Sequence, residues 1–184
     1  MTRRTAAGLL VTAVLLGVAP AGAILWKRHN AWRQSVTPPP PPTAIGDITE
    51  IAPRLYLVPG GGGNSAVFVA ADGVVIVDAK SPSRGEDLLA QIRRVTDKPV
   101  RYVINTHSHD DHTGGDDVMP ASAEIVVQEH TAANMRKMRR NEGLDAGRPL
   151  RTFSDRLTLF DGDDAVDLYY CGAAHTGGDA ATTR

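Results

Sequence analysis

The chain has 184 residues, a formal net charge of −1 and a sequence pI near 6.6. This length suits one folded domain with short appended segments, and the balanced charge excludes the basic surface that marks nucleic-acid binding. Cys171 is the only cysteine, which excludes an intramolecular disulfide framework. We therefore expect a domain with no nucleic-acid partner, while the composition leaves its oligomeric state open.

The N-terminal segment, residues 1–26, has the composition of a targeting sequence. Two arginines precede a run at 6–24 that is apolar and uncharged, and Ala21-Gly22-Ala23 offers a small-residue cleavage site. We predict a secretory signal peptide. The alternative is an uncleaved anchor, because residues 5–26 are long enough to span a bilayer and attach the protein to a membrane. Either interpretation predicts an exported protein, periplasmic or extracellular.

A proline-rich linker is predicted at residues 27–45. Its five consecutive prolines, 38–42, favour an extended polyproline spacer that builds no core. The folded domain is then expected to occupy residues 46–184.

Hydrophobic patterning within this domain predicts a mixed α and β architecture. An amphipathic helix is predicted at 83–95, where Ser83 and Glu86 form a capping-box pattern, and a second helix is predicted from about 131 to 140. Apolar alternation or continuous apolar runs predict strands, and the run at 74–77 has the composition of a strand buried on both faces. The predicted strands are 54–58, 65–70, 74–77, 100–104, 124–128, 156–160 and 165–170.

Four consecutive glycines, Gly60 to Gly63, separate the first two predicted strands. A phosphate-binding loop would need a following helix and a Gly-Lys-Ser/Thr ending, and neither follows here. We therefore predict a flexible hairpin.

The densest cluster of chemically active side chains follows the apolar strand at 100–104. Three histidines and two aspartates fall within residues 107–112, and such ligands suit a divalent metal such as zinc. In an extended segment, side chains at i and i+2 point the same way, so His107 and His109 can bind one ion together. If a helix begins near His112, Asp111 and His112 can reach a second ion. The alternative, a solvated polar loop, would crowd ionisable groups together without a compensating ion.

The run His107-x-His109-x-Asp111-His112 resembles the signature of the metallo-beta-lactamase superfamily. The resemblance extends from about residue 48 to the C-terminus, and segments 56–59, 73–78 and 174–179 stand where that family has strands and its next metal histidine. It implies an α+β fold, the αββα sandwich, represented here by the N-terminal half and the start of the second half. Because the family's domain is commonly longer than residues 46–184, we expect a truncated domain.

The resemblance also implies roles for individual residues. His175 becomes the third histidine of a first metal site with His107 and His109, while Asp111 and His112 belong to a second site whose remaining ligand we expect to be missing. The expected cofactor is one or two zinc ions, with iron or manganese as alternatives.

Several neighbouring residues have weaker assignments. Asp78 is expected either to orient a metal-bound histidine or simply to end a strand. We expect Cys171 to be a small buried hydrophobe, His130 to open a helix at the surface, and Asp179 to support the loop after His175.

The function implied is a zinc-dependent hydrolase of a small molecule. Zinc lowers the pKa of bound water toward about 7 and supplies hydroxide for attack on an ester, thioester, lactone or beta-lactam type bond. Asp111 is the candidate catalytic residue, which would orient the nucleophile and accept its proton. Two alternatives remain open: a single-iron oxidoreductase resembling persulfide dioxygenases, and an inactive truncated remnant of the family.

Overall fold

The structure is a computed structural model that describes residues 44–138 and 149–184. The predicted targeting segment, 1–26, and nearly all of the predicted linker lie outside these ranges, so both stay predictions. Within the described ranges, no helix combines the length and apolar character needed to cross a membrane.

The described residues form ten strands and three α-helices, and the strands belong to two sheets. The helices are α1 (Gly85–Arg93), α2 (Asp110–Thr113) and α3 (Glu129–Lys137). The first sheet contains β1 (Thr49–Ala52), β2 (Leu55–Val58), β3 (Ser65–Val69), β4 (Val74–Val77), β5 (Val100–Ile104), β6 (Glu124–Gln128) and β7 (Leu150–Phe153). The second sheet contains β8 (Arg156–Leu159), β9 (Val166–Tyr170) and β10 (Ala180–Thr183).

The first sheet changes from antiparallel to parallel pairing at its centre. Strands β1 to β4 form an antiparallel meander, whereas β4, β5, β6 and β7 pair in parallel. The parallel pairs require crossovers, and α1 lies in the connection between β4 and β5. The carboxyl ends of the parallel strands therefore meet at one edge of the sheet, where their following loops come together.

Two hydrophobic cores cover the two faces of the seven-stranded sheet. On one face, Ile76 and Val103 pack with Leu88 of α1 and Met135 of α3. On the opposite face, alternate residues of the same strands pack against the three-stranded sheet, as Ile104 does with Leu168. The period-two alternation of strand side chains thus builds helix, sheet and sheet layers from one set of strands.

The predicted α+β class is confirmed, and the apolar strands were predicted most accurately. The runs at 74–77, 100–104 and 124–128 match β4, β5 and β6 to the residue. Three strands were not predicted: β1, β7 and β10. The sequence of β10, Ala-Ala-Thr-Thr, has no apolar alternation, and its strand conformation comes from pairing with β9.

The predicted capping box at the start of α1 was wrong. The N-cap is Arg84 and receives no side-chain hydrogen bond, while the Ser83 hydroxyl donates to the Pro82 carbonyl at 2.5 Å. Ser83 has a positive φ of 63°, whereas an N-cap residue typically has β-region dihedrals, so Ser83 does not have the backbone conformation of a capping serine.

Candidate metal centre

The predicted ligands lie at the carboxyl edge of the parallel strands. Asp78 follows β4, and its backbone N–H donates to the Ile104 carbonyl at the end of β5, 2.8 Å away. Beyond β5 the chain bends at residues 106–108 and reaches His109, which is the N-cap of α2 with φ −70° and ψ 147°. The extended segment that the sequence suggested for His107 and His109 is therefore a bend, and the helix expected to begin near His112 begins at Asp110.

Three histidine side chains converge there. The Nδ1 atom of His109 lies 3.2 Å from Nε2 of His107 and 3.1 Å from Nε2 of His175, and the three nitrogens form one cluster. His107 is 7% exposed, whereas His175 is exposed at the rim. The ring planes cross steeply, with interplanar angles of 79°, 78° and 84° for the three pairs.

This arrangement fits a tetrahedral metal better than it fits hydrogen bonding. A single nitrogen of His109 has one lone pair or one hydrogen, so it cannot bond well to both neighbouring imidazoles. Zinc–nitrogen bonds of about 2.0–2.1 Å in a tetrahedron place adjacent ligand nitrogens roughly 3.3 Å apart. The two observed separations lie close to that value, so the donor set suits one zinc ion.

Asp111 and His112 form a second, adjoining cluster. The Nε2 atom of His112 lies 3.5 Å from Oδ2 of Asp111, and His107 groups with both. The rings of His107 and His112 lie 4.1 Å apart between centroids. The structure thus brings all five predicted ligands together in two neighbouring groups; their role as metal ligands stays a prediction.

The buried carboxylate of Asp78 contacts both His112 and Thr106. Its carboxylate pairs with Nδ1 of His112 at 2.7 Å, and it accepts the backbone N–H of Thr106 at 2.8 Å and the hydroxyl of the same residue. A carboxylate on Nδ1 leaves Nε2 as the nitrogen of His112 that can bind a metal. Asp78 is also buried. Its contacts therefore support the role of orienting a histidine over that of simply ending a strand.

The surroundings shift the pKa values of two imidazoles in opposite directions. Burial lowers the pKa of His107, and the positive charge that His112 can carry lowers it further. Burial also acts to lower the pKa of His112, but the hydrogen bond and charge of Asp78 outweigh it, and that pKa is raised. His107 is therefore favoured as the neutral imidazole, which is the form that binds a metal.

The loop that carries His175 is held by its own hydrogen bonds. Asp179 accepts the backbone N–H of Thr176 at 2.6 Å and its hydroxyl at 2.9 Å. Beyond it, the Thr131 hydroxyl of α3 donates to the Gly178 carbonyl at 2.8 Å. These contacts fix a solvent-exposed ligand loop against a helix, and Asp179 has the supporting role expected of it.

Sequence reasoning missed Lys80, which lies next to the centre. Its side chain is 1% exposed, and burial lowers its pKa from 10.5 to about 8 against a smaller opposing effect of Asp78. A lysine two residues after a strand-end aspartate carried no signal, because it matched no ligand or catalytic pattern.

Cys171 was predicted wrongly. The thiol is exposed, and it does not belong to either ligand cluster among the described residues. It directly follows β9 and precedes Gly172, whose φ of 103° turns the chain, so the cysteine lies beyond the packed part of the sheet. His130 is the second residue of α3 and is exposed, in agreement with its predicted surface position.

Residues 58–179 match the family model of the metallo-beta-lactamase superfamily. The chain belongs to this superfamily. The matched stretch includes both ligand clusters and Asp78, so the predicted resemblance is confirmed. The family's α+β fold is confirmed as well, since solved metallo-beta-lactamases share it.

Three relatives illustrate the extent of the similarity. The human metallo-beta-lactamase domain-containing protein 1 is 33% identical over 93 residues, which are 50% of this chain and 34% of the relative. A metallo-beta-lactamase type 2 from Bacillus sp. (strain 170) is 27% identical over 114 residues, 61% of this chain and 42% of the relative. The solved metallo-beta-lactamase from Pontibacter korlensis superposes with a TM-score of 0.61 and 22% identity, covering 76% of this chain and 66% of that one. The chain thus spans only part of the length of these proteins.

Proposed function

We propose that this protein is a zinc-dependent hydrolase acting on an ester, thioester, lactone or beta-lactam type bond of a small molecule. The observation that carries the proposal is the convergence of the His107, His109 and His175 nitrogens at separations of 3.1 and 3.2 Å around one point. Membership of a superfamily with metal-dependent hydrolases supports the general class.

Each of the three histidines of the first site is positioned by a different part of the structure. His107 donates from Nδ1 to the Thr106 hydroxyl oxygen, 3.0 Å away, because the hydrogen of that hydroxyl is donated to Asp78, and this leaves Nε2 for a metal. His109 sits at the start of α2, and His175 comes from the loop braced by Asp179. Three protein ligands leave a fourth position for water or substrate, as in catalytic rather than structural zinc sites. When bound there, zinc supplies a Lewis acid that makes hydroxide available at neutral pH.

Asp111 is the residue we assign to proton transfer. Its carboxylate is half exposed and lies beside Nε2 of His112 in the second cluster, which shares His107 with the first. A carboxylate in this position can hold an attacking water by a hydrogen bond and accept its proton. His112 is kept in one orientation by Asp78, so Asp111 faces a fixed partner.

Replacing His109 tests the proposal directly, because this residue makes both of the close nitrogen contacts. We expect His109→Ala to lower zinc affinity by at least about a hundredfold, since losing a ligand should cost more than losing a partner that orients one. Zinc affinity is measured by competition with a chromogenic chelator, and hydrolysis is measured on a panel of the four bond types.

The matched control is His130→Ala, since His130 is exposed on α3 and belongs to neither cluster. This variant should bind zinc as the unmodified protein does. Retention of zinc affinity and hydrolysis in His109→Ala would refute the ligand assignment. Metal analysis of the purified protein separates the alternatives: one or two zinc ions support the hydrolase, and one redox-active iron would support the oxidoreductase.

A further inference from the structure

Lys80 holds together the two ends of the glycine-rich segment beside the metal centre. Its buried Nζ donates to the Val58 carbonyl at 2.5 Å and to the Gly63 carbonyl at 2.9 Å. These carbonyls stand on either side of residues 59–62, which we call the glycine loop. A single ammonium group therefore closes the glycine loop at its base, and the aliphatic part of the side chain runs beneath Gly61, where an added Cβ would lie 3.2 Å from Lys80 Cδ.

The conformation of Lys80 is unfavourable by itself. Its φ is 80°, a value that favours glycine, and its charge is removed from water. A lysine kept in a left-handed conformation and in a buried position points to a requirement for its ammonium group, because residues strained in this way concentrate at functional sites.

On its other side, the glycine loop and the adjoining Gly63 touch the ligand cluster. A Cβ built on Gly63 would lie 2.7 Å from Cε1 and 3.1 Å from Nε2 of His112, and one built on Gly62 would lie 2.9 Å from Cβ of Asp111. The backbone thus forms a wall directly against the edge of His112 that carries its metal-binding nitrogen. Moving this wall would change the space at Nε2.

We propose that Lys80 is a positioning residue: its buried ammonium holds the glycine loop against Asp111 and His112 and so sets the shape of that side of the centre. The sequence predicted a flexible hairpin here, whereas in the structure the ends of the loop are held by hydrogen bonds from Lys80. The inference rests on the proposed function for its catalytic meaning, since the wall bears on hydrolysis only if the centre holds a metal.

The test compares Lys80→Met, which keeps the length of the side chain and removes the ammonium, with Lys98→Met. Lys98 is a matched control because its Nζ also donates to a backbone carbonyl, that of Ala70, 2.8 Å away at the opposite end of β4. Both are made in the full chain and studied free of metal with a chelator present. Amide hydrogen exchange of residues 60–65 and the ring-nitrogen chemical shifts of His112 are the two measurements.

We expect exchange in residues 60–65 to accelerate by about tenfold in Lys80→Met, because charge-assisted hydrogen bonds that hold the loop closed are lost. Exchange in β4 should remain within about twofold. The His112 ring signals should shift in Lys80→Met and stay unchanged in Lys98→Met. Unchanged exchange in residues 60–65 of Lys80→Met would by itself overturn the inference, since loss of the ammonium charge alone moves the His112 ring signals.

Two further outcomes are decisive. If Lys80→Met does not fold, the same measurements are made on Lys80→Gly, which removes the backbone strain at φ 80°. If neither variant folds while Lys98→Met does, Lys80 supports the whole domain and the positioning role is wrong. Because these measurements use metal-free protein, they can succeed even where zinc titration fails, so the failure of the proposed function is told apart from the failure of this inference.

Discussion

Two residues of opposite charge, Asp78 and Lys80, act on the imidazole of His112. Asp78 accepts from Thr106 and pairs with His112, while the ammonium of Lys80, two residues further on, raises the cost of a proton on that imidazole. Both Asp78 and Lys80 have positive φ values, 65° and 80°. Asp78 and Lys80 thus lie in a strained turn. The sequence gives no sign of this turn, because neither residue is a glycine.

The lowered pKa of Lys80 makes a pH-dependent contribution to stability. The pKa of Lys80 is about 8 in the folded protein, whereas the ordinary value is 10.5. Between these two pH values the unfolded chain therefore binds more protons than the folded protein. Stability therefore rises with pH across this window, and the contribution is fully present above 10.5 and lost as pH falls through about 8. Its full size is on the order of 3 kcal/mol.

Urea unfolding at pH 7 and pH 10 measures this effect in metal-free protein. We expect the free energy of unfolding of the unmodified protein, relative to Lys80→Met, to increase between the two pH values. Asp78 and His112 face the same region and both proteins retain them. Because the Lys80 ammonium lowers the pKa of His112, the titration of His112 is followed in both proteins by its ring chemical shifts, and its contribution is subtracted. An identical difference at both pH values would contradict a lowered pKa for Lys80.

At the scale of elements, the short helix α2 is held in place by close backbone packing. The Ala79 amide donates to the His112 carbonyl at 2.7 Å, and the Gly115 amide donates to the Lys80 carbonyl at 3.1 Å. Gly115 also faces the start of α1, where an added Cβ would lie 2.9 Å from the Cα of Gly85. The glycine at position 115 therefore allows three segments to meet.

Gly115→Ala should destabilise the domain by about 3 kcal/mol, since the new Cβ would lie 2.0 Å from the Ala79 carbonyl oxygen, and backbone on both sides must move. Chemical unfolding measures the loss. The matched control is Gly177→Ala, whose Cβ would have no heavy atom within 4 Å and which should change stability little. Equal stability of the two variants would show that α2 and α1 tolerate separation.

At the scale of the molecule, the centre joins parts of the chain that are far apart in sequence. His107 and His109 come from the loop after β5, whereas His175 lies 66 residues beyond His109, after β9 of the other sheet. The amide of Ala180 in β10 donates to the Thr106 carbonyl at 2.8 Å and ties the two loops together. A metal bound by all three histidines would therefore link the two sheets.

Zinc should stabilise the folded protein by mass action. At a free zinc concentration of a hundred times the dissociation constant, the gain is about 2.7 kcal/mol, because the unfolded chain does not bring the three histidines together. Thermal melts across a zinc titration measure it, and a chelator should reverse it. The melting temperature of His109→Ala should not respond to zinc, and a response equal to that of the unmodified protein would place the ion elsewhere.

The sequence by itself determined the family, the class of fold and the residues at the ligand cluster. It could do so because β4, β5 and β6 are continuous apolar runs, and because four of the predicted ligands stand within six residues, where local geometry alone brings them close. Features that depend on local sequence could therefore be predicted from the sequence alone.

The remaining features depend on contacts between distant segments. Strand β10 exists through its pairing with β9, and Cys171 is exposed because the chain turns away from the sheet there. Lys80 became recognisable only when the fold placed the carbonyls of Val58 and Gly63 around its ammonium. Burial and hydrogen-bond partners are set by packing over long separations, and no local pattern of residues encodes them.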